Sequence, residues 1–506
     1  MTVVRNGTAA RGLRVIAAGA VLGTAVLGAG PAVMFGSGPA AAIAPPAIDD
    51  GALGQAQAVN AKNGPPDETE KRAICAEPYL SGSIPRDTPL PQRILDLDRA
   101  WKFSRGAGQR VAVIDTGVNR HPRLPDLLPG GDFVTAGDGT EDCDGHGTLV
   151  AGLIAAHPGA SDAFSGVAPD AQILAIRQLS LQYEAKNRRG DDTGKVAAGG
   201  YGDVLTMAAA VVRAVDMGAT VINISEVSCS TAGSGTADAA LGAAVEYAAD
   251  RNVVVVAAAG NLDQAACSTQ NETSGWNGVA TVISPAWFSP YVLSVASTDP
   301  DGGTSPFSIH GPWVGVAAPG RNIISLDSTP GGTGLVDTEH GDEGPLTIDG
   351  TSFSAAFVSG LAALVRSRFP DLTAAQVIDR IERTAHNPGA GRDDRVGFGL
   401  IDPLAALTAQ LPPATGQTAA VPRAIAPPAV DRGPDPVPRR VAVIGSVALL
   451  ALLVIGWAAA LPYRRARPDR GGGDAADGFL GEAGIASPEQ ISTSSGPAGT
   501  DSPGEV

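Results

Sequence analysis

Three short stretches of this chain carry side chains that could act on one another. Val111-Ala-Val-Ile-Asp115-Thr-Gly-Val118 reads as a buried strand that ends on Asp115 and turns at once on a glycine. In an open parallel sheet, functional groups gather at the carboxyl ends of strands. Asp144-Gly-His146-Gly-Thr-Leu-Val-Ala-Gly152 places His146 at the start of a small-residue helix, between glycines that let other segments approach. Gly350-Thr-Ser352-Phe-Ser-Ala-Ala-Phe-Val-Ser-Gly360 places Ser352 at a helix N-terminus. Backbone N–H groups are unpaired there and the helix dipole favours negative charge, which suits an anionic tetrahedral intermediate. A hydroxyl, an imidazole and a carboxylate are the parts of nucleophilic acyl transfer. Singly, each stretch also has a plain structural use, as a strand end, a helix-capping histidine or an ordinary Ser cap.

The elements that must hold these groups can be read from the surrounding pattern. From about Gln92 to Gln410, short β-branched runs alternate with Ala-rich or amphipathic helices. The expected strands are Arg110–Ile114, Ile173–Gln178, Thr220–Ile224, Asn252–Ala258 and Val292–Ala296. The expected helices are Thr148–Ala156, Val204–Met217, Ala237–Arg251, Ser352–Phe369 and Ala374–Thr384. This alternation predicts an α/β fold, a mainly parallel central sheet covered on both faces, in three layers. A further buried run, Val253 to Ala259, ends in Gly-Asn261.

The flanks differ in character. Arg5, Arg11 and Arg14 precede an apolar run from Val15 to about Gly30 and then small residues, which predicts a secretory signal peptide over 1–42, cleaved near Ala42. Residues 43–91 form a polar, Pro-containing N-terminal extension without clear periodicity, followed by the 92–410 domain. Residues 411–440 hold eight prolines and predict an extended linker. Val441–Leu461 carries no charge over 21 residues. At 1.5 Å per residue that length crosses a hydrocarbon core of about 30 Å, predicting one C-terminal transmembrane helix. Arg464, Arg465, Arg467 and Arg470 follow it, against Arg439 and Arg440 before it, which places the C-terminal side in the cytoplasm and the domain outside. Residues 462–506, rich in Gly, Ser, Pro and acids, predict a disordered cytoplasmic tail. Asp and Glu outnumber Lys and Arg by 52 to 36, which argues against a nucleic-acid partner. Cys75, Cys143, Cys229 and Cys267 include no CxxC pair, so they predict two disulfides in an exported domain, with three pairings open. Asp138, Glu141, Asp142 and Asp144 match no EF-hand spacing, and neither metal nor cofactor is expected.

Taken together, the order Asp115, His146, Ser352 in these contexts resembles the subtilisin-like serine proteases. The resemblance covers roughly Gln92 to Pro403. It implies a subtilisin-like fold in which Ser352 is the nucleophile, His146 the base, Asp115 its orienting partner and Asn261 an oxyanion donor. Ser225, Glu226 and Val227 correspond to the segment that lines the substrate cleft. Within that family the chain resembles the mycosins, membrane-anchored proteases of type VII secretion systems. That resemblance implies pairing of Cys75 with Cys143 and of Cys229 with Cys267, an extension that wraps the domain, and partners that are exported protein substrates, components of a membrane secretion complex and the lipid bilayer.

Two departures from the wider family stand out. Ala356 replaces a common helix proline, and Ile224-Ser-Glu-Val-Ser228 replaces a Gly-containing cleft segment, so selective cleavage is expected over broad digestion. Glu226 either selects side chains or is a solvated charge. Residues 181–203, with Lys186, Arg188 and Arg189, and residues 327–346 read as solvated insert loops. A mainly structural subunit of the secretion complex is the alternative reading. An esterase is disfavoured because no GxSxG surrounds Ser352.

Overall fold

The computed structural model describes residues 43–412, apart from 63, 188–199, 235–236, 263–266, 342–343 and 390, together with scattered positions between 446 and 457. The 1–42 segment and the 462–506 tail lie outside the described residues, as do most of the linker and much of the apolar span. Within that span, Leu449, Leu450, Leu452, Val454, Ile455 and Trp457 are helical and exposed. No helix of the described residues is long and apolar enough to cross a membrane.

The central sheet has seven strands, numbered here in chain order: β1 Arg110–Asp115, β2 Leu127–Asp132, β3 Gln172–Arg177, β4 Val221–Ile224, β5 Val254–Ala258, β6 Val292–Thr298 and β7 Val314–Pro319. Their spatial order is β7-β6-β5-β4-β1-β3-β2, and every pair is parallel. The chain starts at β1, passes to the edge strand β2, returns to insert β3 between β2 and β1, then crosses over to place β4 on the other side of β1. The carboxyl end of β1 is therefore the point where the winding reverses, the place where open α/β sheets leave a crevice. Asp115 is the last residue of that strand.

Strands buried on both faces need apolar residues at every position, and Val111 to Ile114 and Val254 to Ala257 are wholly buried. Helix α2 (His146–Ala155) packs against α5 (Thr351–Arg368), which runs across β4 to β7, while α3 (Val204–Asp216) packs against α4 (Ala239–Asp250). Ala208, Ala209 and Ala210 of α3 are buried, and such small side chains let helices lie close to one another and to the sheet. Helix α3 begins at a capping box: the Asp203 carboxylate accepts from Thr206 N and the Thr206 hydroxyl accepts from Asp203 N. Helix α6 (Ala374–Thr384) begins with the same device, from Thr373 and Gln376.

The strands and helices expected between Gln92 and Gln410 all form, with ends moved by at most two residues. Others are additions to that reading. The extension holds a helix, α1 (Leu53–Lys62), which lies on α3 and α4 and buries Ala56 and Val59. Its buried face consists of Ala56 and Val59, continued by Ala52 in the turn just before it, too small to stand out as a pattern. The extension continues as Thr69–Lys71, paired antiparallel with Tyr183–Ala185. It is then joined through Cys75 to Cys143, and Tyr79 exchanges backbone hydrogen bonds with Thr338. Both regions read as solvated loops thus contribute strand: Leu335–Val336 pairs with Ser325–Leu326, and Thr338–Gly341 pairs with Gly344–Thr347. Lys186 forms an ion pair with Glu68 of the extension, while Arg188 and Arg189 lie outside the described residues.

The Cys75–Cys143 bridge spans 68 residues of sequence. A cross-link closing a loop of that length is worth about 4 kcal/mol through the unfolded state. Replacing both cysteines with serine should lower the thermal midpoint of the full-length protein accordingly, measured by calorimetry in detergent under non-reducing conditions. An unchanged midpoint would show that the bridge places no constraint on folding.

Candidate active site

The site begins with two backbones in contact. Gly117 has φ +106°, in the left-handed region, and a Cβ there would stand 2.0 Å from the Glu141 carbonyl oxygen. A Cβ on Gly147 would stand 2.0 Å from the Gly117 carbonyl oxygen. Only glycine at both positions lets the turn after β1 lie flush against the start of α2. Asp142 clamps the junction. One of its carboxylate oxygens accepts from Gly145 N at 2.7 Å and Thr116 Oγ1 at 2.9 Å, the other from Thr148 N at 2.9 Å and Thr148 Oγ1 at 2.6 Å. Burial pushes its carboxyl up to about 6, with the Thr148 hydrogen bonds pulling the other way. Asn119 braces the same loop, accepting from Asp142 N at 3.0 Å and donating to the Asp142 carbonyl at 2.8 Å.

This frame brings His146 Nδ1 to 2.7 Å from Asp115 Oδ1. A carboxylate only accepts, so Nδ1 donates and the neutral ring keeps Nε2 free as an acceptor. Thr116 N also donates to Asp115 Oδ1 at 2.8 Å, while Oδ2 is buried without a partner. Burial lowers the affinity of His146 for a proton. The Asp115 charge and hydrogen bond, then Glu226 and Glu339, outweigh it and raise the ring above its ordinary value. Glu226 follows the end of β4, and its Oε1 lies 3.6 Å from the same Nδ1. Its side chain is only 15% exposed, so it is not a solvated surface charge. Burial, then Asp115 and Asp144, raise its carboxyl, with His146 opposing between the first and the last two.

The ligand atoms of Asp115, His146 and Glu226 lie within 4.8 Å of one another. Two zinc ligands at about 2.0–2.1 Å from a tetrahedral ion would stand about 3.3 Å apart. The 2.7 Å Asp115–His146 separation is that of a shared proton. The nearby acids are otherwise engaged: Asp138 accepts from Thr140, and Asp144 from Ser180 and Leu181 N.

Ser352 lies in the first turn of α5 and is 7% exposed. Its hydroxyl donates to the Ser225 carbonyl at 3.2 Å, and the Ser225 hydroxyl donates to the Ser352 carbonyl at 3.3 Å. Asn223 Nδ2 donates to Ser225 Oγ at 2.8 Å, and Ser359 Oγ donates to Asn223 Oδ1 at 2.8 Å. A buried polar ladder therefore fastens α5 to the end of β4. No hydrogen bond joins Ser352 Oγ to His146 among the described residues. Catalytic hydrogen bonds of this kind often form only with substrate bound.

Asn261 sits just past β5. Its side-chain oxygen accepts from Thr351 N at 3.1 Å and Thr351 Oγ1 at 3.0 Å. Its Nδ2 makes no hydrogen bond among the described residues and passes close to Gly350, 3.5 Å from where a Cβ would stand. Thr351 and Asp142 are the positioning residues that sequence reasoning missed as such. The adjacency of Thr351 to Ser352 was the signal for one, and the spacing of Asp142 three residues before the Gly145 turn was the signal for the other. Ser225 and Val227 are buried beside Glu226. Cys229 is bonded to Cys267, with a Cα–Cα distance of 5.3 Å, so the segment after Glu226 is clipped to the segment after Asn261. Both disulfides pair as the family resemblance implied.

The chain is similar to known proteins in sequence and in fold. The Subtilase family model matches residues 106–399. Mycosin-1 of Mycobacterium tuberculosis is 46% identical over 429 residues, covering 83% of this chain and 94% of that protein. Among solved structures, that of MycP1 from Mycobacterium smegmatis is 46% identical, covers 73% of this chain and 96% of its own, and superposes with a TM-score of 0.68. A chain in the structure of an intact ESX-5 inner membrane complex is 41% identical, with 83% and 100% covered and a TM-score of 0.67.

Adding one methyl group should break the frame. Gly147→Ala forces the two loops apart at a backbone contact that no side-chain rotation can relieve, at a cost of about 1–3 kcal/mol or more. The expected result is a lowered thermal midpoint together with loss of reaction with a fluorophosphonate at Ser352. A variant that keeps wild-type reactivity would show that the loops need not touch.

Proposed function

From the premise that this chain belongs to the subtilase family and, within it, to the mycosins, serine proteases of type VII secretion, we propose that it hydrolyses peptide bonds of a limited set of exported proteins through Asp115, His146 and Ser352. The single observation that carries this reading is the 2.7 Å bond from His146 Nδ1 to buried Asp115, held beside the helix start that presents Ser352. Rotation about the Ser352 Cα–Cβ bond releases its hydroxyl from the Ser225 carbonyl toward His146 Nε2. The oxygen attacks the scissile carbonyl as Nε2 takes its proton, and Asp115 steadies the imidazolium. Asn261 Nδ2, aimed by the Thr351 contacts to its oxygen, and the Ser352 N–H receive the negative oxygen. The imidazolium then protonates the leaving amine, the acyl-enzyme forms on Ser352, and water enters by the reverse route. No step calls for a cofactor.

The domain organisation follows the sequence reading: a cleaved export signal over 1–42, an extension that stays wrapped on the 92–410 domain, the linker, a single membrane helix over 441–461 and a cytoplasmic tail. The catalytic domain then faces the extracytoplasmic side of the cytoplasmic membrane. The ESX-5 complex that holds a similar chain supports components of a membrane secretion complex as partners. The resting bond of Ser352 to Ser225, away from His146, favours a second role as a structural subunit whose hydrolysis awaits an activating event.

A fluorophosphonate probe should label the full-length protein in detergent, and Ser352→Ala and His146→Ala should not be labelled. Asn261→Ala should slow turnover of an activated ester on the order of 10²- to 10³-fold. A folded wild type that resists the probe would leave the structural role standing alone. The pH dependence has a defined sign. His146 works as a base only when neutral, and the Glu226 charge stabilises its protonated form, so Glu226 pushes the acid limb of the rate profile upward. In Glu226→Gln that limb should move to lower pH, read from labelling rates across the range where His146 titrates. A limb that stays in place would show that Glu226 carries no charge near His146 during reaction.

A further inference from the structure

Glu226 is the polar group in this site that the hydrolytic steps leave unused. Its carboxylate accepts no hydrogen bond among the described residues, although its side chain is largely buried. A carboxylate withdrawn from water without compensating hydrogen bonds is costly unless a charge meets it. The charges acting on it are His146 from α2, with Asp115 at the end of β1 and Asp144 in the loop before α2. His146 is already taken by Asp115 at 2.7 Å, closer than the 3.6 Å to Glu226. Glu339, exposed on the Thr338–Gly341 strand, adds another negative charge acting on His146. Asp144 accepts from Ser180 and from Leu181 N, and Asp115 Oδ1 from His146 and from Thr116 N, while Asp115 Oδ2 is buried without a partner. Of the two carboxylates beside the imidazole that keep an oxygen without a hydrogen bond among the described residues, Asp115 is 0% exposed and Glu226 is 15% exposed, so Glu226 is the one that a group entering the cleft can reach.

The place of that carboxylate in the chain gives it a role. Ser225, one residue earlier, exchanges hydrogen bonds with Ser352 itself. An extended peptide docking along residues 225–227 as an added strand would send alternate side chains to fixed pockets. Helix α5 and the Cys229–Cys267 clip fasten both ends of this segment, so Glu226 cannot swing far from the cleft.

We infer that Glu226 is a specificity-determining residue that receives the ammonium or guanidinium of a lysine or arginine on the acyl side of the scissile bond. The inference rests on the reading of Ser352 as nucleophile and of residues 225–227 as the cleft edge. It names the substrate class: exported chains with a basic residue shortly before the cleaved bond. The excess of acidic over basic residues, giving a net charge of −16, draws the same substrates by long-range attraction. The cation also has a mechanistic consequence. Once paired with it, Glu226 holds the imidazolium less tightly, and His146 is freer to act as a base when the correct side chain is in place.

The test uses peptidyl diphenyl phosphonates that carry lysine, norleucine or glutamate at each of the four positions before the phosphonate, applied to the full-length protein in detergent. Rates are compared as ratios within each variant, so changes in the intrinsic reactivity of Ser352 cancel. At one position the wild type should react with lysine about 10- to 100-fold faster than with norleucine, the range expected of a charge-assisted pair in a half-buried site. In Glu226→Gln the ratio at that position should fall to near one, and in Glu226→Lys glutamate should become the faster ligand. Equal wild-type rates at all four positions, or a lysine preference that survives Glu226→Gln, would overturn the inference. A plain fluorophosphonate, run beside them, separates the two failures: if the wild type does not react with it, the nucleophile assignment falls and this inference with it.

Discussion

The site depends on one backbone contact, the meeting of the turn after β1 with the loop before α2. Gly117 and Gly147 permit it, and Asp142 enforces it by accepting four hydrogen bonds from both sides of the junction. Without that contact, Asp115 would be a buried charge with little to offset it, and His146 would be an exposed helix-start residue free to rotate. With it, the two close to hydrogen-bonding distance. Asp142 shows why such a clamp must be complete. A buried carboxylate is tolerated when its lone pairs are met, and each donor here also orders a piece of the loop.

The second half of the site is assembled by a different device. Helix α5 brings Ser352 to the ends of β4 and β5, and side chains fix its height. The Ser359–Asn223–Ser225 ladder ties the helix to β4, while Thr351 ties it to Asn261 beyond β5. Besides the packing of α2 on α5, the two halves meet at His146, Phe353 and Glu226. The His146 and Phe353 rings lie 5.3 Å apart, and Glu226 shares Nδ1 with Asp115. A second carboxylate on the same nitrogen is an electrostatic burden for a general base, since it favours the proton-bearing ring. Such a residue makes chemical sense if something that enters the cleft relieves it.

The strand ends and helix starts that carry these groups were legible because each is a short local pattern: an apolar run into Asp115, glycines around His146, small residues after Ser352. The subtilisin-like order then bound them into one site. Strand β2 was illegible for a physical reason. Its sequence, Leu-Leu-Pro-Gly-Gly-Asp, lacks β-branched residues, and it survives only as an edge strand with an irregular register between Pro129 and Gly131. Helix α1 hid behind alanines, which mark a face only when a partner helix lies against it. The environment of Glu226 could not be read from spacing at all, because its burial depends on α2 and the end of β1, both distant in sequence.

The two disulfides lie at related places in this arrangement. Cys143 precedes His146 by three residues and fastens that loop to the extension. Cys229 follows Glu226 by three residues and fastens the cleft edge to the segment beyond Asn261. Each clip therefore stabilises the folded chain and also restrains a loop that carries a functional group, where loops are otherwise the least stable parts of a fold. A reduced chain would keep its sheet, whose core needs no bridge, and would loosen at the His146 loop and the Glu226 segment. Because thiols stay reduced in the cytoplasm and are oxidised outside it, these bridges would couple a rigid site to the extracytoplasmic compartment proposed for the domain.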